Sequence, residues 1–136
     1  MLTLAVLLFL AVAVGLAALG ARYALGPAPA DYHAEILRRA GAEIHVEVVR
    51  GTRALNVVLG ASLLALAAMV AFLAVYGVWA DLFWAKLARL AGLLIVGLPT
   101  LSMTRRVQAE TGVVTPSRPA AVLVGVGGLG LLLAVS

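Results

Sequence analysis

Residues 54–80 read ALNVVLGASLLALAAMVAFLAVYGVWA, a stretch of 27 residues between Arg53 and Asp81 that contains no charged side chain. At about 1.5 Å of rise per residue, a helix of this length exceeds the roughly 30 Å thickness of a hydrocarbon core. The stretch therefore predicts a transmembrane helix that is tilted or continues past the interface. It is the longest uncharged stretch in the chain, and the other segments are interpreted relative to it.

Three further apolar stretches have the composition of membrane spans. The chain is 64% hydrophobic and 12% charged over 136 residues, whereas charged residues make up about 25% of a typical soluble domain. The four spans are placed at about residues 2–21, 54–80, 83–104 and 118–136. The first is predicted to be a span and not a signal peptide, because no basic residues precede it and its apolar run is longer than usual for such a peptide. The sequence thus predicts an all-α integral membrane protein, a single-domain bundle of four transmembrane helices.

The third predicted span is short and contains a proline. Only 15 residues separate Arg89 from Arg105, about 22 Å of helix. The span is therefore expected either to begin near Leu82, with Lys86 and Arg89 reaching out to the interface, or to be irregular. Pro99 removes one backbone hydrogen bond and predicts a kink. On this assignment no ionisable side chain lies in the membrane interior, which argues against a proton-coupled transporter.

The connection formed by residues 22–53 carries two competing periodicities. Apolar residues recur every four positions through much of it, as in an amphipathic helix, yet residues 42–48 alternate between apolar and polar, as in a strand. An isolated strand beside a membrane would leave its backbone unpaired. We therefore predict an amphipathic interfacial helix between spans 1 and 2, with hinges near Gly41 and Gly51.

Basic residues are concentrated in two of the three connections. Eight of the ten lysines and arginines belong to the first and third connections, and two belong to the turn between spans 2 and 3. The positive-inside rule therefore predicts that residues 22–53 and 105–117 are cytoplasmic and that both termini lie outside, in what we expect to be a bacterial cytoplasmic membrane. No nucleic-acid-binding motif accompanies the net charge of +4, so anionic lipid head groups are the expected partners and nucleic acid is not. The arginines expected to contact head groups or an anionic ligand are Arg38, Arg39, Arg50, Arg53, Arg105 and Arg106.

Two histidines are the only candidates for a metal site, and the chain has no cysteine. His33 and His45 are each flanked two residues away by carboxylates, and imidazole with carboxylate is a ligand set used by zinc, manganese and non-haem iron. On one helix, however, their spacing of twelve residues leaves the two rings about 120° apart. One ion could not take both without a break at Gly41. We expect a solvated, salt-bridged helix face with no metal and no cofactor.

Small residues recur at helical spacing in the spans, as in the pair Ala61 and Ala65. Such surfaces let membrane helices approach closely, within a subunit or between subunits. The positions expected to serve this packing are Gly15, Gly92, Gly125 and Gly128.

Polar residues of spans 2 and 3 form a pattern that resembles small fluoride channels. A Gly-Thr pair at residues 51–52 leads to Asn56 at the start of span 2, and residues 97–102, GLPTLS, resemble that family's G-[FL]-T-T-F-S. Leu101 stands where the family has phenylalanine, and the first connection is longer than the family's. The resemblance implies an anion path lined by Asn56, Thr100 and Ser102.

Four spans with outside termini and a basic first connection also resemble the membrane glutathione-transferase superfamily. Residues 53–56, RALN, echo its R-x-x-N, with Leu59 where that family has an acid. This resemblance implies an enzyme that holds an anionic substrate through arginines of the first connection.

Taken together, the residues favour a non-catalytic integral membrane protein, either a structural or accessory subunit of a membrane complex or a homo-oligomeric scaffold. Its partners would be the lipid bilayer and other membrane helices. The spans show no nucleophile paired with a base, which is the feature most enzyme classes would require. A small ion channel and a glutathione-transferase-like enzyme are the two alternatives.

Overall fold

The computed structural model describes all 136 residues, and its only regular secondary structure is helix, without strands. Four helices are long and apolar enough to cross a membrane: α1 (Leu2–Leu25), α3 (Val46–Val78), α4 (Phe83–Thr111) and α5 (Ser117–Val135). A shorter helix, α2 (Asp31–Arg39), lies between α1 and α3. The predicted all-α fold with four helices of membrane-spanning length and composition is confirmed.

The outer surface of the long helices is strongly apolar. Only 19 of the 136 residues are buried, and large apolar side chains on every long helix are more than half exposed. An exposed apolar surface of this extent is the mark of contact with a membrane or with another protein. Examples from the four long helices are Leu7, Leu55, Ile95 and Leu132.

The segment that joins α2 to α3 is not helical. Gly41, two residues after the end of α2, has φ +71°, a left-handed conformation that glycine adopts without steric cost. Residues 42–45 have no regular secondary structure, and His45, whose backbone is extended, precedes α3. A hinge therefore lies at Gly41 as expected, whereas Gly51 is an uninterrupted part of α3.

The central helix is α1, which packs along α3 on one side and α5 on the other. Glycines allow both contacts. A Cβ atom at Gly60 of α3 would lie 2.6 Å from the carbonyl oxygen of Gly20 and 2.7 Å from the Cβ atom of Ala24. On the other side of α1, a Cβ atom at Gly15 would lie 2.5 Å from Cδ2 of Leu123. The contact at Gly60 is an approach of two backbones, which requires very small side chains, whereas Gly15 accommodates the end of a leucine side chain.

The bundle has two chemically different ends. At the basic end, α1 and α4 finish, α3 and α5 begin, and α2 lies alongside them. At the turn end, α1 begins, α3 is joined to α4, and α5 finishes. The buried apolar cluster lies at the turn end and is formed by Ala5, Val6, Phe9, Ala74, Val78 and Ala134.

A tight turn joins α3 to α4. Asp81 has φ +56°, a left-handed conformation in which aspartate is over-represented among residues other than glycine. Its carboxylate lies 2.6 Å from Nζ of Lys86. A Cβ atom at Gly77 would collide with the Cβ atom of Ala85, so the two helices are in close contact beside the turn.

Both α3 and α4 contain a π-helical segment, at Leu73–Val78 and Leu93–Gly97. The second ends two residues before Pro99. In a regular α-helix the proline ring would clash with the carbonyl four residues earlier, and its nitrogen cannot donate. The wider turn of the π-helical segment accommodates both effects. Pro99 predicts an irregular helix at this point, and the π-helical segment is the irregularity observed.

Candidate functional site

A cavity of about 640 Å³ opens at the basic end, between α1, α2, the start of α3 and the segment that joins α4 to α5. We call it the basic-end cavity. Its volume falls within the range of about 300–1,000 Å³ that is typical of small-molecule sites. Its polar lining includes Arg22, Tyr23, Tyr32, Arg39, Asn56 and Arg118.

Hydrogen bonds to backbone carbonyls tie the walls of this cavity together. Arg39 of α2 donates from Nη1 to the carbonyl oxygen of Thr111 at 3.4 Å, which joins the first connection to the third. Arg53 donates from Nη1 to the carbonyl oxygen of Gly26 at 2.6 Å, which joins the start of α3 to the end of α1. The antiparallel helices thus bring the two basic connections to one end of the bundle.

Gln108 organises the segment between α4 and α5. Its Oε1 atom accepts hydrogen bonds from the hydroxyl of Thr115 at 3.3 Å and from the hydroxyl of Ser117 at 2.9 Å, and both of these side chains are buried. Gly112 ends α4 with φ +65°, which turns the chain toward Thr115. Ser117 is the first residue of α5, and its hydroxyl donates to Gln108.

Acidic side chains of α2 compensate part of the positive charge. Glu35 lies 2.9 Å from Nε of Arg39 and 3.2 Å from Nη2 of Arg38, and Asp31 lies 3.8 Å from Nη2 of Arg22. The hydrogen bond from Arg39 lowers the pKa of the Glu35 carboxyl. Glu35 therefore stays ionised and keeps its two arginines paired to lower pH than an isolated glutamate would.

Two tyrosines meet in the wall of the cavity, with their hydroxyl oxygens 3.1 Å apart. Burial raises the pKa of Tyr32 well above its usual value, and the hydrogen bond with Tyr23 acts in the same direction. The Tyr32 ring also contacts the His33 ring, with centroids 4.0 Å apart, and burial lowers the pKa of His33.

His45 lies 3.4 Å from a carboxylate oxygen of Glu43. No three histidine, aspartate or glutamate side chains converge on one point that could hold a metal ion.

The three residues of the resemblance to fluoride channels do not share a cavity within one subunit. Asn56 is buried and lines the basic-end cavity, where its Nδ2 atom donates to the carbonyl oxygen of Pro27 at 3.4 Å. Thr100 and Ser102 are exposed on α4, and the Ser102 hydroxyl donates to the carbonyl oxygen of Pro99 at 2.9 Å. An anion path lined by all three would need more than one subunit.

The remaining predicted arginines lie away from the basic-end cavity. Arg50 and Arg105 are exposed, and Arg106 pairs with Glu110 at 2.7 Å. Two arginines that were not singled out line the cavity because the helix ends converge there. They are Arg22, at the end of α1, and Arg118, at the start of α5.

The predicted packing glycines divide into two groups. Gly15 is a close contact, whereas a Cβ atom at Gly92 or Gly125 would meet open space and one at Gly128 would only touch Leu93 at 4.0 Å. Four other glycines, which were not predicted from the sequence to serve packing, are also in close contact with neighbouring helices within the subunit. These are Gly20, Gly60, Gly77 and Gly130.

A second cavity, of about 200 Å³, is lined by residues of all four long helices and opens to the surface beside Met69 and Val96, whose side chains are exposed. We call it the inner cavity. Contacts between α3 and α4 are concentrated near the turn, between Leu73–Val78 and Phe83–Gly92, and the cavity lies where the two helices diverge. Its wall is apolar apart from one side chain, that of Arg89.

The expectation that Arg89 reaches out to the interface is wrong. Its side chain turns into the bundle and is 8% exposed, although it lies only six residues after the start of α4. The guanidinium carbon lies 3.7 Å from the centre of the Phe9 ring, a cation–π contact. Nη2 donates to the carbonyl oxygen of Val70, and Nε is buried without a hydrogen-bond partner. The bundle therefore does contain a buried ionisable group, and no carboxylate lies within ion-pair distance of it.

No protein-family model, curated protein or solved structure matches the chain. Its own cavities and surfaces therefore carry the functional inference.

Proposed function

We propose that the chain is a non-catalytic subunit of a membrane assembly in which a second copy packs against the outer face of α3. The supporting observation is the placement of small residues on that helix. Gly60 faces α1 and serves packing within the subunit, whereas Ala61, Ala65 and Ala68 are exposed. Their spacing of four and three residues puts them on one face. Membrane helices associate through such faces because small side chains let the backbones approach.

In this proposal the basic end faces the cytoplasm of a bacterial cell and α2 lies at the membrane interface. Lysine and arginine are concentrated in the two connections that meet at that end, as the positive-inside rule requires of cytoplasmic segments. Arg50 and Arg105 are exposed there and would contact anionic head groups. The polar side chains of the same end hold the connections in place, which suits a structural role.

Cysteine cross-linking tests the α3 interface, since the chain has no cysteine of its own. We expect Ala65→Cys to give a disulfide-linked dimer on mild oxidation in native membranes. Two copies that pack through small residues bring equivalent Cα atoms within the span of about 4.4–6.8 Å that a disulfide requires. The measurement is the fraction of dimer on a non-reducing gel.

Ala18→Cys is the matched control, because Ala18 is also an exposed alanine of a long helix but lies on α1. It should remain monomeric under the same oxidation. Equal cross-linking at both positions would indicate random collision, and absence of dimer at each of Ala61, Ala65 and Ala68 would rule out this face as the interface.

A second function, binding of a small anion at the basic end, is supported by the basic-end cavity itself. Three arginines and two carboxylates line it, so its charge is positive, and the hydroxyl and amide groups of Tyr32 and Asn56 add polar contacts. This is also where the resemblance to glutathione transferases would place an anionic substrate.

We expect Arg118→Gln to weaken binding of glutathione about tenfold, the effect of losing one charged hydrogen bond. Isothermal titration of the detergent-solubilised protein is the measurement. Arg105→Gln removes the same charge away from the cavity and should leave the affinity unchanged. If the wild-type protein shows no binding, or if both variants weaken it equally, the cavity is not a site for this anion.

A further inference from the structure

Arg89 is the only charged side chain buried in the bundle, and neither the assembly of subunits nor the basic-end cavity accounts for it. We propose that the inner cavity is a binding site for a single-chain amphiphilic carboxylate. Its carboxylate would pair with Arg89, and its apolar chain would lie between α3 and α4. Three observations lead to this assignment: the unsatisfied guanidinium, the apolar wall and the positions of the chain's own acids.

The guanidinium has unused hydrogen-bonding capacity. It carries five N–H donors, of which Nη2 is engaged by the carbonyl oxygen of Val70 while Nε is buried without a partner. The Phe9 ring covers one face of the group, so a ligand must approach at its edge. A carboxylate is the group whose two oxygens match that edge.

The rest of the cavity suits an apolar chain. Leu66 and Met69 of α3 face Leu93 and Val96 of α4 across it, and Gly92 has open space where a side chain would stand. The volume of about 200 Å³ is below the range of about 300–1,000 Å³ for drug-sized ligands. One acyl chain fits this space better than the two chains of a phospholipid.

Within the subunit, no carboxylate of the chain forms an ion pair with Arg89. The chain has six acidic residues, and each lies in α2, in a connection or within the first or last turns of a long helix, not in the middle of a span. A lipophilic carboxylate, in contrast, can reach Arg89 through the bilayer, between α3 and α4. The six are Asp31, Glu35, Glu43, Glu47, Asp81 and Glu110.

Radiolabelled dodecanoate binding to the full chain in phosphatidylcholine nanodiscs tests the proposal, with empty discs as the background. We expect saturable binding that unlabelled dodecanoate displaces at a concentration about tenfold or more below that of dodecanol, which has the same chain without the charge. Binding that is not saturable, or equal displacement by dodecanol, would overturn the assignment.

Two variants locate the site. Arg89→Gln removes the charge, and Gly92→Leu fills the cavity while keeping Arg89; each is expected to weaken binding about tenfold or more. Gly125→Leu is the matched control, because Gly125 is an exposed glycine outside the cavity, and it should bind as the wild type does. If Arg89→Gln fails to fold, Gly92→Leu still decides. Undiminished binding by Gly92→Leu would place the ligand elsewhere and overturn the proposal.

Discussion

Replacing Gly60 with alanine is expected to destabilise the folded chain by about 1–3 kcal/mol, the usual cost of overpacking a tight contact. The added Cβ atom would lie 2.6 Å from both the carbonyl oxygen of Gly20 and the backbone nitrogen of Ala24. These are backbone atoms of α1, which cannot rotate away as a side chain can. The two helices must therefore move apart along the largest helix contact in the bundle. Unfolding by sodium dodecyl sulfate from mixed micelles gives the change in free energy of unfolding.

Gly51→Ala provides the control in the same helix. A Cβ atom at Gly51 would meet nothing within 4 Å, so alanine adds no contact and only removes the conformational cost of glycine in a helix. That cost is about 0.5–1 kcal/mol, and the variant should be as stable as the wild type or more so. If the two variants lose stability equally, the α1–α3 contact is not the reason for glycine at position 60.

This pair of glycines also shows how far the sequence predicts the fold. The lengths of the apolar runs were enough to predict four long helices, because a membrane span needs a minimum length of apolar residues. The same pattern did not say which face of each helix turns inward. Gly92 and Gly125 were expected to serve packing within or between subunits, and within the subunit they meet open space, whereas Gly60 was not predicted to pack and closely approaches the backbone of α1.

The basic-end cavity was predictable only in part. The count of basic residues predicts that the first and third connections lie on the same side of the membrane. In the structure the two connections meet, and Arg39 donates a hydrogen bond to the carbonyl oxygen of Thr111. The pairing of Tyr23 with Tyr32 depends on the angle at which α2 returns toward α1, and the burial of Asn56 depends on where Pro27 passes the start of α3. Such angles are set by tertiary packing, which no local pattern encodes.

The side-chain direction of Arg89 was the largest error of the sequence interpretation, and it has a physical reason. An arginine six residues inside a helix lies about 9 Å from its end, which is within reach of the interface. A side chain that extends toward the interface was therefore the simpler expectation. The orientation of α4 is instead set by the contact between Gly77 and Ala85 beside the turn. Position 89 then faces α1 and α3, where the Phe9 ring of α1 and the carbonyl oxygen of Val70 of α3 receive the guanidinium.

Because this charge is buried without an anion, replacing Arg89 with methionine is expected to stabilise the ligand-free protein by about 1–3 kcal/mol. The cost of an arginine in a membrane helix reaches about 2.5–3.5 kcal/mol at the helix centre on insertion scales and is smaller at position 89, and part of it is offset by the contacts with Phe9 and Val70. Methionine fills similar space with an apolar, adaptable chain. The carbonyl oxygen of Val70 keeps a partner, because the backbone N–H of Leu73 also donates to it.

The free energy of unfolding in an uncharged detergent, measured with and without dodecanoate, tests this expectation. The wild type should gain stability when dodecanoate is added, since a ligand that binds only the folded state stabilises it, whereas Arg89→Met should be more stable at the outset and gain nothing. A variant less stable than the wild type without ligand would mean that the Phe9 and Val70 contacts outweigh the burial of the charge. In that case Arg89 would be a structural element of the bundle. We expect the opposite outcome, in which Arg89→Met is more stable than the wild type and no longer binds dodecanoate. That outcome would mean that Arg89 lowers the stability of the fold and is retained because it binds a ligand.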